Sequence, residues 1–175
     1  TGTMPIEVVA VVSNHQDLRS LAEWHGVPFH YFPISEGRKV EQEQRISELF
    51  ERVDGELLVL ARYMQVLTPA ACARFEGHAI NIHHSFLPGF KGAKAYHQAH
   101  ARGVKLIGAT AQYVTTDLDE GPIIEQEVER VDHTLAPAEL AVLGSELESQ
   151  VLNRAIKWHA ERRVFRNGAK TVVLR

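Results

Sequence analysis

The sequence predicts an α/β fold, with a mainly parallel sheet flanked by helices, and three observations carry that reading. Short apolar runs rich in β-branched residues recur along the chain. Stretches with helical periodicity separate them, the order expected of crossover connections between parallel strands. The 175 residues are also enough for one domain to bury a substantial core without staples, and no linker or repeat divides them.

Element by element, Ile6 to Val12 is the first strand candidate, entered almost at once after Thr1-Gly2-Thr3-Met4-Pro5. Gln16 to His25 reads as a helix, and Phe29 to Phe32 as a short strand. Arg38 to Val53 is predicted helical because Ile46, Leu49, Phe50 and Val53 fall on one face. Leu57 to Leu60 is a strand, and Thr68 to Phe75 a short helical pattern that carries Cys72, the sole cysteine, as a small core residue. Ala79 to Ile82 is a buried strand and Ala93 to Arg102 a short helix, followed by strands over Ile107 to Val114 and Ile123 to Val131. Leu140, Leu143, Leu147, Val151, Ala155 and Trp158 then recur at helical spacing. Between Arg163 and Leu174, two apolar arms around Asn167-Gly168 predict a β-hairpin.

Composition narrows the function classes. A net charge of -3 argues against a dedicated nucleic-acid surface, although Arg154, Lys157, Arg162, Arg163, Arg166, Lys170 and Arg175 cluster near the end. Those residues are expected to form a solvated face opposite the apolar stripe. No apolar stretch approaches the roughly 20 residues that span a bilayer, and the first residues lack signal-peptide order. One cysteine cannot form an internal disulfide, so a reducing, cytoplasmic setting fits.

The chemistry concentrates at the end of the fourth strand. Side chains alternate along a strand, so Asn81 and His83 share one face while Ile80 and Ile82 share the other. Pro88, Gly89 and Gly92 then force a loop. A second polar cluster, Thr115 to Pro122, links two strand candidates; alone it is an acidic turn. If the sheet brings it beside Asn81 and His83, Asp119 could serve as a base. An amide to hold a carbonyl, an imidazole to stabilise an oxyanion and a carboxylate to take a proton from water suffice to hydrolyse a small acyl group.

Other chemistries fit less well. His83 and His84 could ligate one ion only if the strand had already ended, and His97 and His100 lack the His-Glu-x-x-His pattern, so no metal is expected. Ser85 lacks a nucleophile elbow, and no glycine-rich phosphate loop implies a nucleotide cofactor.

Asn81-Ile82-His83, Ser85-x-Leu87-Pro88, Phe90-Lys91-Gly92 and, further on, Leu118-Asp119-x-Gly121-Pro122-Ile123-Ile124 resemble, in order and spacing, the formyltransferase family that uses 10-formyltetrahydrofolate. Ala61 to Leu67, the Asn-Ile-His-His-Ser form, Gly92-Ala93-Lys94 and Gly108 to Ala111 are more closely similar to its deformylase branch, formyltetrahydrofolate deformylase, and the similarity runs through essentially the whole chain. The resemblance implies a Rossmann-like formyltransferase fold and a hydrolase acting on a linear amide C–N bond. It would convert 10-formyltetrahydrofolate to tetrahydrofolate and formate, supplying formate for purine biosynthesis and balancing the one-carbon pool. Alternatives are formyl transfer to an amine such as glycinamide ribonucleotide, and a folate-binding module without activity.

By motif, the catalytic set falls on Asn81, His83 and Asp119, and a carboxylate near His83 would favour its charged form. Folate would lie against Met64, Gln65, Val66 and Leu67 and the segment from Tyr113 to Asp119. The folate is the substrate, so no cofactor is implied; a homo-oligomer is implied by the family alone. Related proteins carry a His where this chain has Gln112, and Gln hydrogen-bonds but cannot take a proton, which makes Gln112 a peripheral site residue. The resemblance also implies a small ACT-type regulatory domain and a first strand and helix ahead of Ile6. Residues 1–175 therefore read as an N-terminally truncated catalytic domain, expected to fold poorly alone with unpaired backbone groups on two neighbouring strands.

Overall fold

A computed structural model describes residues 4–34, 37–85 and 95–175 of the chain. Pro88, Gly89 and Gly92, the motif pieces Leu87-Pro88, Phe90-Lys91-Gly92 and Gly92-Ala93-Lys94, and the first residues of the helix expected from Ala93 lie outside the described residues.

The elements follow the predicted alternation. They run β1 (Val11–Ser13), α1 (Arg19–Trp24), β2 (Phe29–Tyr31), α2 (Lys39–Arg52), β3 (Leu58–Leu60), α3 (Pro69–Arg74), β4 (Ala79–His83) and α4 (Ala95–Ala101). Then come β5 (Leu106–Tyr113), β6 (Ile123–Arg130), α5 (Pro137–Ala160), β7 (Val164–Asn167) and β8 (Lys170–Val173). β1 pairs in parallel with β2, and a separate four-stranded sheet has the order β3-β4-β5-β6. Its first pairing is parallel, whereas β4-β5 and β5-β6 are antiparallel. The short turn after β5 reverses the chain directly, which is why no crossover helix separates β5 from β6.

Local sequence accounts for the helix starts nearest the site. At α3 the Thr68 hydroxyl accepts a hydrogen bond from the Ala71 N–H at 3.3 Å and Pro69 occupies the first turn. At α5 Pro137 does the same, and the Glu139 carboxylate accepts from the Ala136 N–H at 2.7 Å.

The main core lies between one face of the sheet and α5. Ile80, Ile82, Ala109, Ala111 and Tyr113 meet Leu140, Leu147, Val151, Ala155 and Trp158 there. Burying a side chain such as Leu140 or Val151 contributes about 2 kcal/mol, while an exposed ion pair contributes under about 1 kcal/mol. The apolar stripe, not charge, therefore holds α5 on the sheet. A smaller cluster joins Leu60, Leu67, Ala71 and Cys72, as expected for a core cysteine; burial raises its thiol pKa, aided by Glu43 and opposed by Lys39.

Several expectations need correction. The apolar run from Ile6 is extended as a strand only over β1, and Ile6, Val8 and Val9 are exposed. Among the described residues β1 pairs only with β2, so the rest of the run has no ladder to join. The basic C-terminal residues are not simply solvated. Arg154 bonds Glu125 at 3.2 Å and Glu127 at 2.9 Å, Arg166 reaches Glu76 at 2.9 Å, and Arg163 pairs with Glu161 at 3.0 Å. The C-terminal hairpin forms, but Asn167 pairs with Lys170, so Gly168 and Ala169 make the turn, with Gly168 at φ +60°.

Candidate active site

The pleat of β4 and its register against β5 build the floor of the site. Asn81 lies opposite Gln112 and His83 opposite Thr110, while Ile80 and Ile82 face Tyr113 and Ala111. Directly paired residues point to the same face. Asn81, His83, Thr110 and Gln112 therefore share the face away from α5, which is the alternation read from the sequence.

The turn from β5 to β6 brings the third group. Asp119 adopts the left-handed backbone region at φ +59°, which Asp tolerates better than most residues. Its Oδ1 lies 3.2 Å from His83 Nδ1. Both side chains are more than nine-tenths buried, at 8% and 7% exposure, so water screens the pair little. The turn is clamped by a Tyr113 N–H bond to the Pro122 carbonyl at 3.0 Å and by the Thr115 hydroxyl donating to the Asp117 carbonyl at 3.1 Å.

Asn81, His83 and Asp119 line a cavity of about 540 Å³. Met64, Gln65, Val66 and Leu67 form one wall, and Gln112 part of the floor. Tyr113 also borders the cavity, but its ring lies on the face toward α5, where its hydroxyl is 2.8 Å from His159 Nδ1. Gln112 is not peripheral. It is 3% exposed and its Nε2 donates to Asp119 Oδ1 at 3.4 Å.

His84 also departs from the alternation. The strand ends at His83, and the His84 ring turns back to stack on it at 4.8 Å between centroids. Among the described residues no group of three His, Cys, Asp or Glu is placed to hold a metal ion. His97 borders the cavity from α4.

Sequence reasoning missed the far rim. Arg62, Tyr96 and Glu148 line it, with the Tyr96 hydroxyl donating to Glu148 at 2.8 Å and Arg62 Nη2 to the Ser145 hydroxyl at 3.2 Å. Tyr96 can approach α5 because Gly144 has no side chain; a Cβ there would sit 2.1 Å from the ring. Only Arg62, inside the Ala61 to Leu67 motif, carried a sequence signal.

Beneath the floor, Tyr113 and His159 respond to pH. Burial raises the phenol pKa, against a smaller lowering by Arg166, so the hydroxyl keeps its proton. Burial, and next the nearby His78, hold the His159 imidazole below its usual value, against a smaller opposing effect of Glu56. The unfolded chain therefore binds this proton more readily as pH falls through about 6.5, and folding stability falls with it until the folded pKa is passed. The expected result is a larger drop in Tm between pH 7 and pH 5 for wild type than for His159→Gln, measured by thermal melts in matched buffers. Equal drops would show that His159 is not the group responsible.

A sequence profile of the formyl transferase family matches residues 1–156. The formyltetrahydrofolate deformylase of Corynebacterium sp. (strain P-1) is 55% identical over 175 residues, covering 100% of this chain and 61% of that protein. That of Bacillus subtilis (strain 168) is 50% identical, covering 99% and 58%. The crystal structure of formyltetrahydrofolate deformylase from Burkholderia mallei ATCC 23344 matches with a TM-score of 0.93 and 59% identity, over 99% of this chain and 62% of that one. Glycinamide ribonucleotide transformylase 1 from Symbiobacterium toebii matches with a TM-score of 0.90 and 30% identity, over 99% and 84%. The chain thus spans 58 to 62% of the length of these deformylases.

Proposed function

Because the chain belongs to the formyl transferase family, we propose that it carries the catalytic site of a hydrolase that converts 10-formyltetrahydrofolate to tetrahydrofolate and formate. The observation that carries this reading is the Asp119 carboxylate held 3.2 Å from His83, on the same cavity wall as Asn81. Similarity to proteins named formyltetrahydrofolate deformylase favours water over an amine as acceptor.

In this mechanism the folate lies along Met64 to Leu67 with its formyl group over β4. Asp119 takes a proton from water as the water oxygen attacks the formyl carbon. The carbonyl electron pair moves onto oxygen, where the Asn81 amide and the His83 ring donate hydrogen bonds to it. With Nδ1–H directed at Asp119, His83 donates through Nε2 only when the ring carries both protons. As the tetrahedral intermediate collapses and the C–N bond breaks, Asp119 returns its proton to the leaving nitrogen, and the formic acid released ionises to formate.

No cofactor beyond the folate is needed for these steps. No helix among the described residues is long and apolar enough to cross a membrane, and a reducing cytoplasm suits the single buried thiol. Neither a membrane nor a nucleic acid belongs to this reading. A homo-oligomer is its remaining partner, checked by light scattering.

The test is to incubate the purified protein with 10-formyltetrahydrofolate, with and without glycinamide ribonucleotide, and to measure formate. Formate released without acceptor supports hydrolysis. Formyl transfer that requires the amine overturns hydrolysis in favour of a transformylase, and folate binding with neither product leaves a binding module.

A further inference from the structure

Gln112 is better placed than its sequence position implied. It is buried in the floor of the site, directly across the ladder from Asn81 and in contact with Asp119. Its orientation follows from that contact: Nε2 must face the carboxylate, because Oε1 there would set two acceptors against each other. Oε1 therefore points away from the carboxylate, within the same amide plane. It is a buried acceptor with no hydrogen-bond partner, on a residue that lines the cavity. An acceptor left unmade in this way costs free energy, so it marks where a donor belongs during function.

The regular β4-β5 pairing fixes this placement, and beside it the β5-β6 ladder carries an extra residue on β6. Between Ala111 and Gln112 the β5-β6 register shifts: Ala111 pairs with Glu125 and Gln112 with Ile123, passing over Ile124. Bulges of this kind redirect side chains beside functional sites. The next residues enter the turn that returns Asp119 to the same face, so Gln112 and Asp119 meet although the chain reverses between them.

We propose that Gln112 holds the attacking water: Nε2 fixes Asp119 through Oδ1, and Oε1 accepts the water hydrogen that Asp119 does not take. The proposal rests on the hydrolytic reading above. Both His83 and Gln112 contact Oδ1, so Oδ2 takes the proton. Held between Oδ2 and Oε1, the water directs a lone pair at the formyl carbon. The oxygen–carbon bond forms as the carbonyl electron pair moves to the oxyanion held by Asn81 and His83. Gln112 neither gains nor loses a proton, which is the role open to an amide.

The test compares wild type, Gln112→Met and Gln112→His by formate release across pH, with thermal melts as the folding control. Gln112→Met, similar in length but without either hydrogen bond, lowers kcat by about 10- to 100-fold, the scale of a hydrogen bond made in the transition state, with KM little changed. Gln112→His recovers most of kcat at high pH. Its rate then falls with falling pH as the imidazole protonates and stops accepting, an acid limb added to the wild-type profile. If wild type releases formate but Gln112→Met keeps its kcat, or Gln112→His shows the wild-type pH profile, this proposal is overturned and hydrolysis stands. Should wild type release none, both fall together.

Discussion

Asp119→Asn reduces formate release by about 1,000-fold, within the usual range for removal of a general base. The substitution is well suited to the site. Asn tolerates the left-handed backbone at φ +59° as readily as Asp, so the turn has no reason to move. The side-chain oxygen at this position still accepts from His83 Nδ1, at 3.2 Å in the wild type, and from Gln112 Nε2, at 3.4 Å. What disappears is the capacity to take a proton from water. Because the wall proposed to hold folate, Met64 to Leu67, is untouched, KM changes by less than about threefold, and the loss falls on kcat. The residual rate reports the oxyanion stabilisation proposed for Asn81 and His83, which the variant keeps. Steady-state kinetics beside a thermal melt decide the matter. Normal deformylation by a folded Asp119→Asn protein would show that the proton goes elsewhere.

The parts of this site that lie on one strand were legible in the sequence. Asn81 and His83 share a face because the pleat has a period of two, and the β-branched run around them marks a buried strand. Asp119 was legible only as a conditional: its turn composition was plain, but its approach to His83 depends on β5 pairing with both β4 and β6, a tertiary fact. Gln112 was undervalued for the same reason. Its identity was visible and its register partner was not; only the pairing with Asn81 puts it in the floor. The far rim required still more distant convergence, since Arg62, Tyr96 and Glu148 come from three separate segments. At the other extreme, the run from Ile6 shows the limit of propensity. Apolar β-branched residues form a strand only where a neighbouring backbone completes their hydrogen bonds, and most of that run has no such neighbour among the described residues.

The second large effect tests the turn instead of the base. Gly121 follows Asp119 by two positions, and its backbone lies against the end of β5. A Cβ built there would sit 1.7 Å from the Tyr113 carbonyl oxygen and 2.9 Å from its carbonyl carbon. The obstacle is main chain held in the sheet, so no rotamer change relieves it. Tyr113 is fixed on both sides, its N–H bonded to the Pro122 carbonyl at 3.0 Å and its residue paired with Ile80. Gly121→Ala must therefore push the turn away from β5, at a cost of about 3 kcal/mol, the upper range for overpacking. The same displacement carries Asp119 from His83, and an error of about 1 Å in a catalytic group costs on the order of 100-fold in rate. A lower Tm together with a kcat reduced at least 100-fold, measured well below the variant's melting temperature, is the expected pair of results. Loss of stability with wild-type kcat would mean that the turn moves without carrying Asp119. Wild-type stability would mean that the strand end yields, and with it the claim that this glycine sets the position of the base.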